Sequence, residues 1–346
     1  MKQQNTSLMS AEAAETPTRF RQQRLALEGT LEDLSTKLRD TSPKMAITCG
    51  RGSSDHAGVF TRYLIEKLLK IPTASATPST LSVYGVAPNL KGCLVVLISQ
   101  SGQSPDLISY AQAAQRSGAL TVGLINQHTD APLAEQCDYV LPLCAGPENS
   151  VAATKSYLCT LFASLQLVAS WSNDLALKQE ITSLPDTLQQ AQSLDWQVAV
   201  ETLESANSML VLGRGLGLGI ANEVALKFKE TCGLHAESFS AAEVIHGPLA
   251  MIKPNFPVLI FDQGDETSDS IDGAISRLLQ AGATVLLASS KSIDGCIQLP
   301  ILAGVSPCAA LLSFVQASYF MIEALSRRRG YHPDTPSHIA KVTKTL

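Results

Sequence analysis

Cys93-Leu94-Val95-Val96-Leu97-Ile98-Ser99-Gln100-Ser101-Gly102-Gln103-Ser104-Pro105-Asp106 decides the fold. A short apolar run breaks abruptly into hydroxyl, amide and glycine residues, and a helical pattern follows. A buried strand that ends in an anion-binding turn reads this way. Ser99, Ser101 and Ser104 offer hydroxyls, while Gly102 lets backbone N–H groups converge on one point. The guest expected there is a phosphate.

Outward from that stretch, the same architecture appears twice. Ile47-Thr48-Cys49-Gly50-Arg51-Gly52 is echoed by Leu210-Val211-Leu212-Gly213-Arg214-Gly215, and Leu97 to Gly102 by Leu259-Ile260-Phe261-Asp262-Gln263-Gly264. Gly118 to Val122 against Gly282 to Leu286, and Leu141-Pro142-Leu143 against Leu299-Pro300-Ile301, keep the order at a spacing of about 160 residues. Two similar domains in tandem explain this, since a solenoid repeats every 20 to 50 residues.

The apolar runs predict strands near 45–49, 93–98, 120–125 and 139–143, with a short one near 73–76, and in the second copy near 208–212, 257–262, 283–288 and 297–301. Helical patterns separate them, so the fold class is α/β, with mainly parallel sheets covered on both faces. Residues 1–40 read as a helical segment ended by Thr41-Ser42-Pro43. The expected domains are 41–175 and 207–330, joined by a helical linker over 176–206 and followed by a tail over 331–346. Ligands of such sheets bind beyond the carboxyl ends of strands, where both glycine-rich turns fall.

Composition excludes several classes. The 346 residues, 45% apolar, suffice for two cores. A net charge of −5 offers no basic surface to nucleic acid or anionic lipid. The N-terminus has no apolar signal region, and no run approaches 18 apolar residues, so no membrane association is expected and the cytoplasm is the expected compartment. The eight cysteines form no C-x-x-C pair and read as reduced core residues. Gly213 to Gly219 imitates a dinucleotide fingerprint, yet no acidic residue follows at the end of a second strand. His235, Glu237 and His56 lack the spacing of a ligand set. No cofactor and no metal are predicted.

Arranged this way, the sequence resembles the double sugar isomerase (SIS) domain family, including the isomerase half of glutamine–fructose-6-phosphate aminotransferase. The resemblance rests on Met9-x-x-Glu12-x-x-Glu15-x-Pro17, Gly50 to Ser54, Ser99 to Ser104, Val151-Ala152-Ala153-Thr154-Lys155, Glu223 to Glu230, His235-Ala236-Glu237, His246-Gly247-Pro248-Leu249 and Ile339-Ala340-Lys341. It implies two flavodoxin-like αβα sandwiches and a sugar phosphate held between them. The glutaminase domain of the aminotransferase has no counterpart in this sequence. The expectation is therefore a ketol-isomerising deaminase that converts glucosamine 6-phosphate and water to fructose 6-phosphate and ammonia. Alternatives are galactosamine 6-phosphate deamination, a fructoselysine 6-phosphate deglycase, aldose–ketose isomerisation, and a sugar-phosphate sensor without turnover.

The resemblance assigns roles, each beside a plainer reading. Glu230 matches the family's base, which shuttles a proton between C1 and C2. Glu223, Lys227 and Glu230 at i, i+4 and i+7 would equally make a solvated ion-pair stripe. Lys227 tunes that base or contacts the sugar, or else pairs structurally with Glu223. His246 matches the ring-opening histidine, which in the family comes from the neighbouring subunit, so a homodimer is implied. Lys341 matches a tail lysine able to form an imine or stabilise charge at C2; a tail lysine is otherwise inert. Ser54, Ser99, Gln100, Ser101 and Ser104 match phosphate ligands, although a lone serine before a helix is usually an N-cap. Val151, Ala153 and Ala340 match sugar contacts, with Ala153 in place of a serine. Ser337-His338 replaces an Arg-Asn pair. Arg51 and Arg214 would either reach the phosphate or lock the domains together. The acidic turn Asp262 to Glu266 would repel an anion, so only the first domain should hold phosphate.

Overall fold

The computed structural model describes residues 6–339 and 341. The chain divides into two compact units. One comprises Thr16–Glu148 and Lys155–Pro185 with Lys341; the other comprises Asp186–Ile339, Asn149–Thr154 and the stretch that ends at Glu15.

The first-sheet unit holds β1 (Ala46–Cys49), β2 (Thr73–Ser75), β3 (Leu94–Ser99), β4 (Leu120–Ile125) and β5 (Tyr139–Pro142), all parallel in the order β2-β1-β3-β4-β5. Every residue of β1 and β3 is buried, as a strand covered on both faces requires. Helix α3 (Ser53–Leu69) follows β1, and the short α4 (Pro78–Ser82) leads on towards β3. Helix α5 (Pro105–Arg116) covers one face, where Leu107, Tyr110, Ala111 and Ala114 pack against Ile47, Val95 and Leu97. Helix α6 (Lys155–Ser172) packs against α3 and against α2 (Thr16–Thr41), whose Phe20 stacks on Phe162 with ring centroids 4.0 Å apart.

The second-sheet unit repeats the plan. Strands β6 (Ser208–Gly213), β7 (His235–Ser240), β8 (Pro257–Phe261), β9 (Thr284–Ala288) and β10 (Cys296–Gln298) run parallel in the order β7-β6-β8-β9-β10, the same order as the first sheet. Helix α9 (Leu216–Cys232) follows β6, and α10 (Ser268–Gln280) buries Ile271, Ile275 and Leu278 against Leu210, Ile260 and Val285. Helix α7 (Leu175–Ala191) contains the division between the units, beside Pro185, and α8 (Gln197–Leu203) precedes β6.

Two glycines in each copy show why the turns repeat. A Cβ on Gly50 would lie 2.8 Å from the Ser54 carbonyl carbon, and one on Gly213 only 2.1 Å from the Gly217 oxygen. Gly52 and Gly215 start α3 and α9 at φ of 53° and 58°, a left-handed backbone that side chains resist.

Three features depart from the sequence pattern. Strand β7 was not anticipated: its edge position leaves the polar His-Ala-Glu-Ser-Phe-Ser only partly buried, without an apolar run. The N-terminal helical stretch is two helices that break at Glu15. The first, α1 (Leu8–Ala14), packs on α11 (Pro307–Arg328) in the second-sheet unit, and Gln316 donates to the Ala13 carbonyl at 2.9 Å. Helix α11 is long and apolar enough to cross a membrane, which the expectation of no such run did not foresee; 78% of its most apolar window is buried, against α9, α8 and α1.

Candidate functional site

The order reversal between β1 and β3 puts two turns side by side at the carboxyl end of the first sheet, where open sheets of this type take ligands. After β3, the Gly102 N–H donates to Ser99 Oγ at 2.9 Å and the Gln103 N–H to Ser101 Oγ at 3.3 Å. Each hydroxyl thus accepts one backbone N–H, which leaves its own O–H as a donor. Ser104 stands at the N-cap of α5, yet its side chain makes no capping bond, so the plainer reading of that serine does not hold. Ser54 lies in the first turn of α3.

Arg51 does something neither sequence alternative foresaw. It pairs with buried Asp106 in the first turn of α5, Nε at 2.8 Å and a terminal nitrogen at 2.7 Å, and so ties the β1 turn to the β3 turn within one unit. Burial, assisted by Asp106, pushes the Cys49 thiol at the end of β1 up to about 12.

In the second-sheet unit, α9 carries Glu223, Lys227 and Glu230 in a row. The solvated stripe is not realised: the Glu223 side chain is fully buried, Lys227 is 1% exposed, and Glu230 is 21% exposed. Lys227 Nζ lies 3.4 Å from Glu223 and hydrogen-bonds Glu230. Lys227 therefore meets both Glu223 and Glu230, and of these two carboxylates only Glu230 has a solvent-facing edge. His246 ends the short turn Val244–His246 after β7 and is exposed, followed by Gly247 at φ 151°.

In the turn after β8 the nearby donors face a carboxylate. Asp262 Oδ1 accepts from the Gly264 N–H at 3.1 Å and Ser268 Oγ at 2.7 Å, and Oδ2 accepts from Ser289 Oγ at 2.7 Å. A backbone N–H and two hydroxyls are thus engaged by one side chain.

Two buried carboxylates flank the stretch that contains Val151 and Ala153. Glu12 accepts the Asn149 and Ser150 N–H groups at 2.5 and 3.2 Å, while the Val151 N–H donates to the Asp334 carbonyl at 3.3 Å. Asp334 in turn accepts the Leu8 and Met9 N–H groups at 2.9 and 2.8 Å. In the first-sheet unit, Glu148 accepts from the Ser156 N–H, the Ser156 hydroxyl and Lys341 Nζ. Ala340 lies outside the described residues.

The SIS domain pattern matches residues 41–170 and 202–326. The chain belongs to the SIS domain family. Both SIS repeats are present, each as one parallel five-stranded sheet. Glutamine–fructose-6-phosphate aminotransferase (isomerizing) from Sulfurisphaera tokodaii is 31% identical over 85% of this chain, and the one from Aquifex aeolicus 32% identical over 88%. The alignments cover 49% and 52% of those proteins, so this SIS chain spans about half the length of the curated relatives it matches. A solved structure from Silicibacter pomeroyi, whose name gives phosphosugar isomerase as its candidate activity, is 36% identical over 95% of this chain and all of its own, with a TM-score of 0.90. The C-terminal domain of the aminotransferase from Francisella tularensis shares the fold, with a TM-score of 0.84 at 24% identity over 97% of this chain and all of its own.

Sequence reasoning missed Glu148, Glu12 as a holder of Asn149 and Ser150, and the burial of Glu223. A faint signal existed for Glu148. Helix α6 has no acidic residue in its first turn, so its N-terminal N–H groups had to find an acceptor upstream.

Proposed function

We propose that this SIS protein is a phosphosugar isomerase that acts on an aminosugar phosphate, with glucosamine 6-phosphate deamination as its reaction. The observation that carries the reading is Glu230, a carboxylate on the rim of a buried charge row and steered by a fully buried lysine. The spare hydroxyls of Ser99, Ser101 and Ser104, with Gln100 and Ser54, are assigned to the phosphate, and Val151, Ala153 and Ala340 to the sugar.

The chemistry then runs as follows. His246 relays a proton as the ring opens to the free aldehyde. Glu230 removes the proton from C2, which gives an enolamine, and returns it to C1, which gives an imine at C2. Lys341 either displaces ammonia by forming its own imine at C2 or stabilises the charge there. Water then adds to C2 and expels the nitrogen held there, which is ammonia in the direct route or the Lys341 amine where ammonia has already left, and fructose 6-phosphate remains. Lys227 keeps Glu230 oriented through the cycle.

His246 is exposed, which suits a histidine supplied to a neighbouring subunit, and a homodimer is part of the proposal. Eight free thiols suit a reducing, cytoplasmic setting. The same proton shuttle would serve plain aldose–ketose isomerisation, a second reading favoured by the name of the Silicibacter relative.

Incubation of the purified protein with glucosamine 6-phosphate, with ammonia and fructose 6-phosphate assayed together, tests the proposal. Equal yields of both products, lost by at least about a thousandfold in Glu230→Gln, are expected. Conversion of a hexose 6-phosphate without ammonia release would move the assignment to the second reading.

A further inference from the structure

Glu148 is a buried carboxylate with no part in the chemistry above. Its side chain is fully inaccessible, just ahead of α6, where it accepts from the Ser156 N–H at 3.1 Å and from Ser156 Oγ at 2.6 Å. The same Oε2 faces Lys341 Nζ at 3.3 Å, although 193 residues separate the two in sequence. A carboxylate taken out of water is costly unless its lone pairs are met. Here a helix start, a hydroxyl and an ammonium meet them.

The two ends of the pair differ in burial. The Glu148 side chain is fully buried and held by two bonds to α6, whereas 24% of the Lys341 side chain is exposed. A buried anion held by its own helix gives the amine a fixed point to rest against. Coulomb attraction inside the unit is also less screened than at an exposed pair.

We propose that Glu148 is the positioning residue for Lys341, holding the tail amine at the N-terminal end of α6. The role in turnover rests on the reading of Lys341 as the amine that acts at C2; the anchor itself does not. Glu148→Gln keeps the shape and an acceptor for Ser156 but removes the charge. Ser156→Ala removes a hydroxyl bond at the same place and keeps the charge.

The test is amine labelling with acetic anhydride, read residue by residue by mass spectrometry without substrate, with Lys291 as internal reference. In Glu148→Gln, Lys341 should label roughly fivefold to tenfold faster relative to Lys291, the scale of a lost ion pair with one buried member. Ser156→Ala should leave the ratio unchanged. In turnover, Glu148→Gln should lower kcat with little change in KM, and Glu148→Gln/Lys341→Met should be no slower than Lys341→Met alone. An unchanged labelling ratio in folded Glu148→Gln overturns the anchor, and so does an additive loss in the double variant. Should Glu148→Gln fail to fold, Lys341→Met reads the pair from the other side: it should lower the melting temperature by removing the ammonium that faces Glu148 Oε2, and an unchanged melting temperature overturns the proposal. Faster labelling in a protein inert towards every sugar phosphate would uphold the anchor while the functional reading fails.

Discussion

The turn after β3 and the turn after β8 hold the same place in two copies of one sheet, and they treat charge in opposite ways. After β3, the hydroxyls of Ser99 and Ser101 accept backbone N–H groups. After β8, Asp262 stands where the first copy has Gln100, and it gathers the Gly264 N–H and the hydroxyls of Ser268 and Ser289. The glycine survives in both, with Gly102 at φ 65° and Gly264 at φ 75°. The backbone is thus a common frame that carries Ser99, Gln100 and Ser101 in the first copy and Phe261, Asp262 and Gln263 in the second, where the Asp262 carboxylate takes up the donors around it. The helices divide the labour differently again: α9 carries the buried charge row, while α3 carries Ser54.

The sharpest way to break this comparison is at the frame itself. Gly213→Ala should cost more than about 3 kcal/mol in urea unfolding, because the new methyl meets backbone that cannot move aside. Gly50→Ala, with a milder approach of 2.8 Å, should cost less, about 1 to 3 kcal/mol. Equal costs would show that the two turns yield alike.

The next test separates stability from binding. Asp262→Ala leaves a backbone N–H and two hydroxyls unpaired and should lose about 2 to 3 kcal/mol of stability, with inorganic phosphate still able to raise the melting temperature. Ser101→Ala should lose less than about 1 kcal/mol yet abolish that phosphate effect. A phosphate response that survives Ser101→Ala and disappears in Asp262→Ala would invert the assignment of the two turns.

The smallest effect is alkaline. Burial raises Cys49, Cys137 and Tyr110 of the first-sheet unit to about 12, and Cys232 of the second to about 11. All four are neutral when protonated, with ordinary values of 9.0 for the thiols and 10.0 for the tyrosine. The unfolded chain therefore releases these protons first, so stability is intact below pH 9 and declines as the pH rises towards 12. Urea midpoints should fall steadily above pH 9, and Cys49→Ala should flatten part of that slope. A midpoint independent of pH over this range would contradict the burial of these groups.

Much of the frame was legible in the chain. Continuous apolar runs marked the inner strands of both sheets, whereas edge strands β2, β7 and β10 are only partly buried and do not require an apolar sequence. Paired Gly-Arg-Gly turns marked where strands feed helices, and the serine-rich run marked the turn between β3 and α5. These signals are local: a strand buried on both faces must be apolar throughout, and a backbone that clashes with any Cβ must be glycine. Periodicity could not tell whether Glu223, Lys227 and Glu230 face water or core, since one helical row serves both. Tertiary packing buried the row and left Glu230 at its rim. Nor could spacing reveal that Asp106 holds Arg51, that Asp334 holds the start of α1, or that Glu148 faces Lys341. Each of those pairs joins residues from 55 to 326 positions apart. A charged side chain chooses its partner after the backbone has folded, by proximity and by the water removed around it, and neither quantity is written in the neighbouring residues.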